Sequence, residues 1–291
     1  MKANTNDFRS EGETMLGINP NRNVTEKTKE YVSFFGTTPI VVAELWNRIN
    51  PVESVHQQSQ FKYLLWALLF LTKYLDELSN CRIVGIKDPK WFRYWCWLFV
   101  EAIANVDGQV IRWSNRFQNW DKKSNCLVWV DCTDVPILEP WPFDSAYYSQ
   151  KLNGPGYKYE LALAINGDYI VWINGPFPAG RPADLEIFRQ GLMLMLAEDE
   201  GVETDAYYKG EYALKNVNVH RGRTFKEQKK LVRARGENVF SRFKRFGVLR
   251  KRFTHKLEKH QICFRSVAVL VQLNMNHGRG NLFQVDYDLI Y

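Results

Sequence analysis

The stretch that decides the fold is LVWVDCTDVPI, residues 127–137. Its apolar and β-branched residues predict a buried strand, yet it carries two aspartates three residues apart. Because side chains alternate along a strand, Asp131 shares a face with Trp129, and Asp134 lies on the opposite face. A lone buried carboxylate is costly, so we expect a bound cation to compensate Asp131. Asp134 precedes Pro136 and is expected to reach solvent or to cap a turn.

Three more features extend this strand into a sheet. Residues 157–165 (YKYELALAI) and 168–173 (DYIVWI) flank Asn166-Gly167, a pair that strongly indicates a hairpin. Asp184 is predicted to cap a helix (DLEIFRQGLMLML), and residues 202–207 are predicted to form a fourth strand. The helix lets that strand lie parallel to the first. This order predicts an α/β, ribonuclease-H-like fold, with a mixed five-stranded sheet flanked by helices.

The rest of the chain is predicted to be mainly helical. Residues 1–30 are polar and are expected to form a disordered arm. Residues 31–110 are predicted to form a small helix-turn-helix-like domain, in which Asp88-Pro89 starts the second helix. Residues 120–291 are predicted to form the catalytic domain. It would include a long basic helix over residues 225–246 and a last helix over residues 257–276. The segment VNV near residue 217 could add a strand.

Positive charge is concentrated in one segment. The whole chain carries +7, but residues 220–260 hold 15 Lys and Arg against three acidic residues, a net +12, so the remaining 250 residues carry −5. Such a distribution favours a phosphate-rich partner, although a solvated helical face is the alternative. The candidate DNA-contacting residues are Arg233, Arg235, Arg242, Lys244, Arg245, Arg250, and, at the start of the helix after Asp88, Lys87, Lys90 and Arg93. A plain helical bundle is the alternative for residues 31–110.

The cysteines and the apolar segments bear on location. The five cysteines form no CxxC pair, and the sequence opens without an apolar leader, so we expect an intracellular protein with buried thiols. The most apolar run, YLLWALLFL over residues 63–71, is too short to span a bilayer and is predicted to be a core helix. No membrane association is expected.

Two further acids are candidate partners for Asp131. Asp205 ends the predicted fourth strand, which should neighbour the first, and Glu237 is an isolated acid within the basic helix. Alternatively, Asp205 caps a turn and Glu237 neutralises Arg233. Three converging carboxylates would suit Mg²⁺, or Mn²⁺, and two such ions can clamp a phosphodiester for in-line attack.

Several segments resemble the DDE transposases of the IS5/PIF-Harbinger-like superfamily. The most similar are VDCTDVPILEP, YSQKLNGPGYKYELALAI, GDYIVWINGPFPAG, ETDAYYKGE and RARGENVFSRFKRFGVLRKRF, which extend from about residue 120 to the end. Matching the family's motif residue by residue places its two aspartates on Asp131 and Asp205, and its glutamate on Glu237. Lys244 falls on the lysine that follows this glutamate. Cys132 stands where the family usually has glycine, and Ala206-Tyr207 where it has Lys-Gly.

The resemblance implies a metal-dependent endonuclease that cleaves and joins DNA with two Mg²⁺ or Mn²⁺ ions. Its partner would be double-stranded DNA, as transposon ends and target, in the nucleus if the host is a eukaryote. A homodimer and a separately encoded DNA-binding partner are both compatible with it. One alternative is a domesticated, catalytically inactive DNA-binding protein. A glycosidase could also use paired acids, but would not explain the basic segment.

Overall fold

A computed structural model describes residues 4–49, 61–120, 124–205, 208, 214–215, 223–278, 282–283 and 285. The chain divides into two compact units. The helical unit comprises residues 1–110, 243–251 and 255–277, and the sheet unit comprises residues 111–242, 252–254 and 278–291. Each unit therefore draws on distant parts of the sequence.

The sheet unit is built on a mixed five-stranded sheet. Its strands are β1 (Cys126–Pro136), β3 (Gly154–Ala164), β4 (Ile170–Pro178), β5 (Gly201–Glu203) and β6 (Leu214–Lys215). The spatial order is β4-β3-β1-β5-β6, with β1, β3 and β4 antiparallel and β5 and β6 parallel to β1. A two-residue strand, β2 (Tyr148–Ser149), pairs with the start of β3.

The sequence-based predictions for these strands are largely confirmed. The predicted hairpin closes through Ala164 N–H, which donates to the Tyr169 carbonyl at 2.9 Å. The fourth strand lies parallel to the first, as predicted, although it is shorter and ends at Glu203. Strand β4 continues to Pro178, five residues beyond the predicted end at residue 173. The predicted strand at VNV lies outside the described residues.

Helices cover both faces of the sheet. Helix α8 (Asp184–Gln190) packs Phe188 into a cluster with Val128, Val130 and Ala162, and a short 3-10 helix (Leu192–Met195) follows it. Asp184 is the first residue of α8 and not its cap, which is Ala183. The opposite face is covered by the long basic helix α9 (Arg223–Phe243).

Gly236 allows α9 to lie close against the sheet. A Cβ atom at this position would lie 2.1 Å from the indole of Trp129. One turn further along α9, the ring of Phe240 lies 5.6 Å from that of Trp129. Packing therefore requires glycine at residue 236, because the face of β1 that carries Trp129 leaves no space for a methyl group.

The helical unit is all-α. Its helices are α1 (Thr5–Met15), α2 (Val24–Phe35), α3 (Pro39–Ile49), α4 (Phe61–Lys73), α5 (Glu77–Val84), α6 (Pro89–Ala104), α7 (Asp107–Val110), α10 (Gly247–Arg250) and α11 (Glu258–Asn276). Helix α4 is buried on all sides, as expected of a helix without a polar face. It packs against α2 and α6, and the ring of Tyr63 stacks on that of Trp95 at 4.2 Å.

Two predictions about domains differ from the structure. Residues 1–30, predicted to be a disordered arm, include α1 and the start of α2, and Phe8 of α1 is fully buried against Trp46 and Phe61. Helix α11, predicted to belong to the catalytic domain, is part of the helical unit, where Ser266 Oγ donates to the Val100 carbonyl at 2.8 Å. All five cysteines are buried and free, as predicted.

Candidate active site

The sheet brings Asp131 and Asp205 together. Trp129 of β1 pairs with Glu203 of the parallel strand β5, and each aspartate lies two residues beyond its paired neighbour. Because side chains alternate along β1, Asp131 shares the face of Trp129, and Asp205 follows β5 at the neighbouring position. Asp205 also raises the pKa of Asp131 through its charge, which places the two carboxylates near each other.

Asp131 lies in an environment that disfavours its charge. Its pKa is raised to about 7, mainly by burial and also by the charge of Asp205, although the backbone N–H of Cys132 opposes the rise by donating to Oδ1 at 2.7 Å. The charges of Lys151 and Asp184 act more weakly and in opposite directions. Within the described residues Asp131 forms no ion pair. A bound cation would favour the ionised form of Asp131 and would reduce its repulsion with Asp205.

Glu203 is a third acid on the same strand face, but its charge is already balanced. Lys229 of α9 forms an ion pair with it at 3.1 Å, and both side chains are almost fully buried. This pair links α9 to the strand that leads to Asp205. The sequence alone could have identified Glu203 as an acid near Asp205, because the two are two residues apart. It could not have predicted the ion pair of Glu203 with Lys229, because the two residues are 26 positions apart.

Glu237, the predicted third acid, is placed differently. It lies on α9 next to Gly236, but its side chain is 56% exposed and pairs with Arg233 at 3.5 Å. This arrangement corresponds to the alternative in which Glu237 neutralises Arg233. Among the residues that the structure describes, no three His, Cys, Asp or Glu side chains are grouped closely enough to hold a metal ion.

A divalent ion fits the Asp131–Asp205 pair in part. The chemistry of two carboxylates suits Mg²⁺ or Mn²⁺, and among the described residues no cation forms an ion pair with Asp131, whose pKa is raised mainly by burial. Glu237, as placed here, adds no ligand. Asp131 and Asp205 would therefore hold the first ion, and a ligand set for a second ion is not assembled among the described residues.

The candidate DNA-contacting residues fall into three groups. The prediction that Arg235 contacts DNA is wrong, because the residue is only 3% exposed. Its guanidinium donates to the Gly167 carbonyl at 2.6 Å and to the Phe283 carbonyl at 3.1 Å, so it supports the fold. Arg242 is half-buried and donates to Asn238 Oδ1. The others are exposed: Arg233 in the sheet unit, and Lys87, Lys90, Arg93, Lys244, Arg245 and Arg250 in the helical unit.

Asp134 was predicted to reach solvent or to cap a turn, but the structure places it differently. Its side chain is buried, and Ser149 Oγ donates to its Oδ2 at 2.5 Å. On the neighbouring strand, directly opposite Asp134, Lys158 pairs with Asp184 at 2.6 Å. These contacts join residues up to 26 positions apart, so no local sequence pattern reveals them.

The fold and these side chains define an α/β protein in which two acids, Asp131 and Asp205, lie close together beside the neighbouring strands β1 and β5 of a mixed sheet. No family model matches the chain, and neither the curated proteins nor the solved structures contain a match to it. Of the helices that the structure describes, none has the length and apolar character needed to cross a membrane.

Proposed function

We propose that the chain is a DNA endonuclease of the DDE transposase type, which cleaves and joins phosphodiester bonds, and that its sheet unit is a ribonuclease-H-like domain. The observation that carries the proposal is the proximity of Asp131 to Asp205, each two residues beyond the paired residues Trp129 and Glu203 of parallel strands. The sheet order β4-β3-β1-β5-β6, with the first three strands antiparallel, is the order expected of that fold.

Each residue of the site has a distinct role in this proposal. Asp131 and Asp205 would bind a divalent ion, which when bound activates the attacking oxygen and stabilises the leaving oxygen. The Cys132 backbone N–H orients Asp131 through its hydrogen bond to Oδ1. The buried Lys229–Glu203 pair positions the end of β5 and therefore Asp205. The exposed cations of α9, including Arg233, would attract the phosphate backbone of double-stranded DNA.

A specific observation favours a second candidate, a DNA-binding protein derived from a transposase that no longer cuts. Glu237 is exposed and bound to Arg233, so the third acid is not part of an assembled site. In this alternative the basic residues and the fold persist without turnover.

A nicking assay separates the two candidates. The purified protein is incubated with supercoiled plasmid and Mg²⁺ or Mn²⁺, alongside Asp131→Asn and Asp205→Asn. The endonuclease proposal predicts nicking that falls by about a hundredfold or more in both variants. Glu198→Gln, which changes an exposed carboxylate away from the pair, should cut like the wild type. DNA binding without nicking would favour the second candidate, and equal nicking by all variants would indicate a contaminating nuclease.

A further inference from the structure

An open cleft of about 530 Å³ lies in the sheet unit, beside Asp134 of β1. It is formed by the loop before β2, the loop before β3 and the segment between β4 and α8. Its lining includes Asp134, Phe143, Tyr148, Lys151, Lys158 and Arg181. The cleft thus combines aromatic rings, cations and a carboxylate in one concave surface, which is the usual composition of a small polar ligand site.

The cations of the cleft are not all neutralised by the fold. Lys158 is paired with Asp184, whereas Arg181 and Lys151 form no ion pair within the described part of the chain. Burial lowers the pKa of Lys151, but the charges of Asp131, Asp134 and Asp184 outweigh burial and raise its pKa. Lys151 therefore lines the cleft and also lies near Asp131. Two cations of this kind are suited to the phosphate of a ligand.

Asp134 supplies an unused hydrogen-bond acceptor. Only 7% of the residue is exposed, and its Oδ2 accepts from Ser149 Oγ. The other oxygen, Oδ1, is buried without a hydrogen-bond partner among the described residues. A buried acceptor that lines a cleft and lacks a donor is costly in the free protein. It would be satisfied by an amino group of a bound ligand.

Two aromatic rings at the cleft are exposed, and one of them, Tyr148, is held in place because its hydroxyl donates to Asn153 Oδ1 at 2.7 Å. Phe143 is 66% exposed and Tyr148 is 46% exposed. Flat rings at this exposure can stack on a planar heterocycle, a contact that every nucleobase offers. Trp141 belongs to the same loop and is 96% exposed, but it does not line the cleft.

We propose that this cleft binds an unpaired nucleotide, with its base on Phe143 and Tyr148, its amino group at Asp134 and its phosphate at Lys151 and Arg181. Adenine, guanine and cytosine carry an exocyclic amino group that a carboxylate can accept from, whereas thymine does not. Thymine offers a carboxylate only its ring N3–H, which is flanked by two carbonyl oxygens that repel the carboxylate, so the site favours cytosine over thymine. The choice of DNA as the source of the nucleotide rests on the proposed function, because the cleft adjoins Asp131 through Lys151.

The test is a binding titration with fluorescein-labelled single-stranded dC12 and dT12, followed by anisotropy in EDTA. The absence of divalent ions makes the result independent of cleavage. The wild type should bind dC12 more tightly than dT12. The double variant Phe143→Ala/Tyr148→Ala should bind dC12 about tenfold more weakly. Asp134→Asn should remove the preference over dT12, and thermal unfolding of each variant checks that it remains folded.

Trp141→Ala is the matched control, since it removes an exposed ring of the same loop outside the cleft. Its affinity should equal that of the wild type. An equal loss in Trp141→Ala and in the double variant, or equal binding of dC12 and dT12 by the wild type, would overturn the proposal.

Competition with dCMP identifies the source of the nucleotide. Displacement of dC12 by dCMP at a similar nucleotide concentration assigns a site for free nucleotides, and displacement only by oligonucleotides assigns a site for unpaired DNA. Both results support the cleft as the binding site. Cleft binding together with a negative nicking assay would reject the endonuclease and retain the nucleotide site.

Discussion

Glu160 shows how a single buried side chain can govern the response of the fold to pH. It lies fully buried on β3, opposite Cys132, and Trp172 Nε1 donates to its Oε2 at 2.9 Å. Burial raises its pKa to about 7, against the opposing effect of the hydrogen bonds from Trp172 and Asn174. The folded protein therefore holds a proton on Glu160 at pH values where the unfolded chain has released it.

The sign of the resulting pH dependence is fixed by this raised pKa. The stabilisation is fully present below the unfolded pKa of about 4.5 and is lost as the pH rises through about 7. Glu160→Gln, which resembles the protonated form, should match the wild type near pH 4.5 and exceed its stability at pH 8 by roughly 3 kcal/mol. Urea unfolding at both pH values measures this difference. The exposed Glu198→Gln should show no such gain, and equal destabilisation by Glu160→Gln at both pH values would contradict the assignment.

At the scale of the element, the position of α9 depends on a small number of contacts with the sheet. The buried side of this helix carries Lys229, Val232, Gly236, Val239 and Phe240, spaced as one helical face. Gly236 allows the close approach to Trp129, and Lys229 balances Glu203. Glu237 follows Gly236 directly but lies outside this buried face.

Gly236→Ala should destabilise the protein even though alanine favours a helix by about 1 kcal/mol over glycine. The added methyl group would lie 2.1 Å from Trp129, so the helix must shift or the indole must turn. We expect a net loss of about 1–3 kcal/mol, as for other overpacked sites, measured by thermal unfolding. Gly108→Ala in α7 is the control, because no atom lies within 4 Å of the added Cβ. A Gly236→Ala protein as stable as the wild type would show that α9 does not rest on Trp129.

The part of the fold that the sequence predicts is the part that depends on local patterns. Alternation in residues 127–137 predicts β1, Asn166-Gly167 predicts the hairpin, and the intervening helix predicts the parallel neighbour of β1. Asp131 and Asp205 could be paired for the same reason, since the ends of adjacent strands meet. Local signals of strand period and turn chemistry were sufficient for these elements.

Contacts between distant parts of the chain were not predictable. The docking of α11 onto α6, the burial of Arg235 against the Gly167 carbonyl and the pairing of Lys229 with Glu203 all depend on residues far apart in sequence. A positive residue in a basic run has the same local pattern whether it faces solvent or a buried carbonyl. One local signal was also missed. Asn4 and Asp7 exchange hydrogen bonds in a capping box, and this pattern in the polar N-terminal segment could have predicted α1.

At the scale of the whole molecule, some basic side chains are buried and paired within the fold, whereas others remain exposed to solvent. Arg235 and Lys229 of the basic segment are used within the protein, whereas Arg233, Lys244, Arg245 and Arg250 remain exposed. The net +12 of residues 220–260 therefore overstates the charge available to DNA. A nucleic-acid function rests on the acidic pair together with the exposed cations and not on the total charge.

The measurement that tests the central claim most directly is a calorimetric titration of Mn²⁺ into the wild type and into Asp205→Asn. The claim is that Asp131 and Asp205 share a divalent ion. It predicts binding by the wild type and at least about tenfold weaker binding by the variant, because one of two charged ligands is lost. Two results would contradict it. One is equal Mn²⁺ affinity in both proteins, and the other is a folded wild type that binds no Mn²⁺ either with or without DNA.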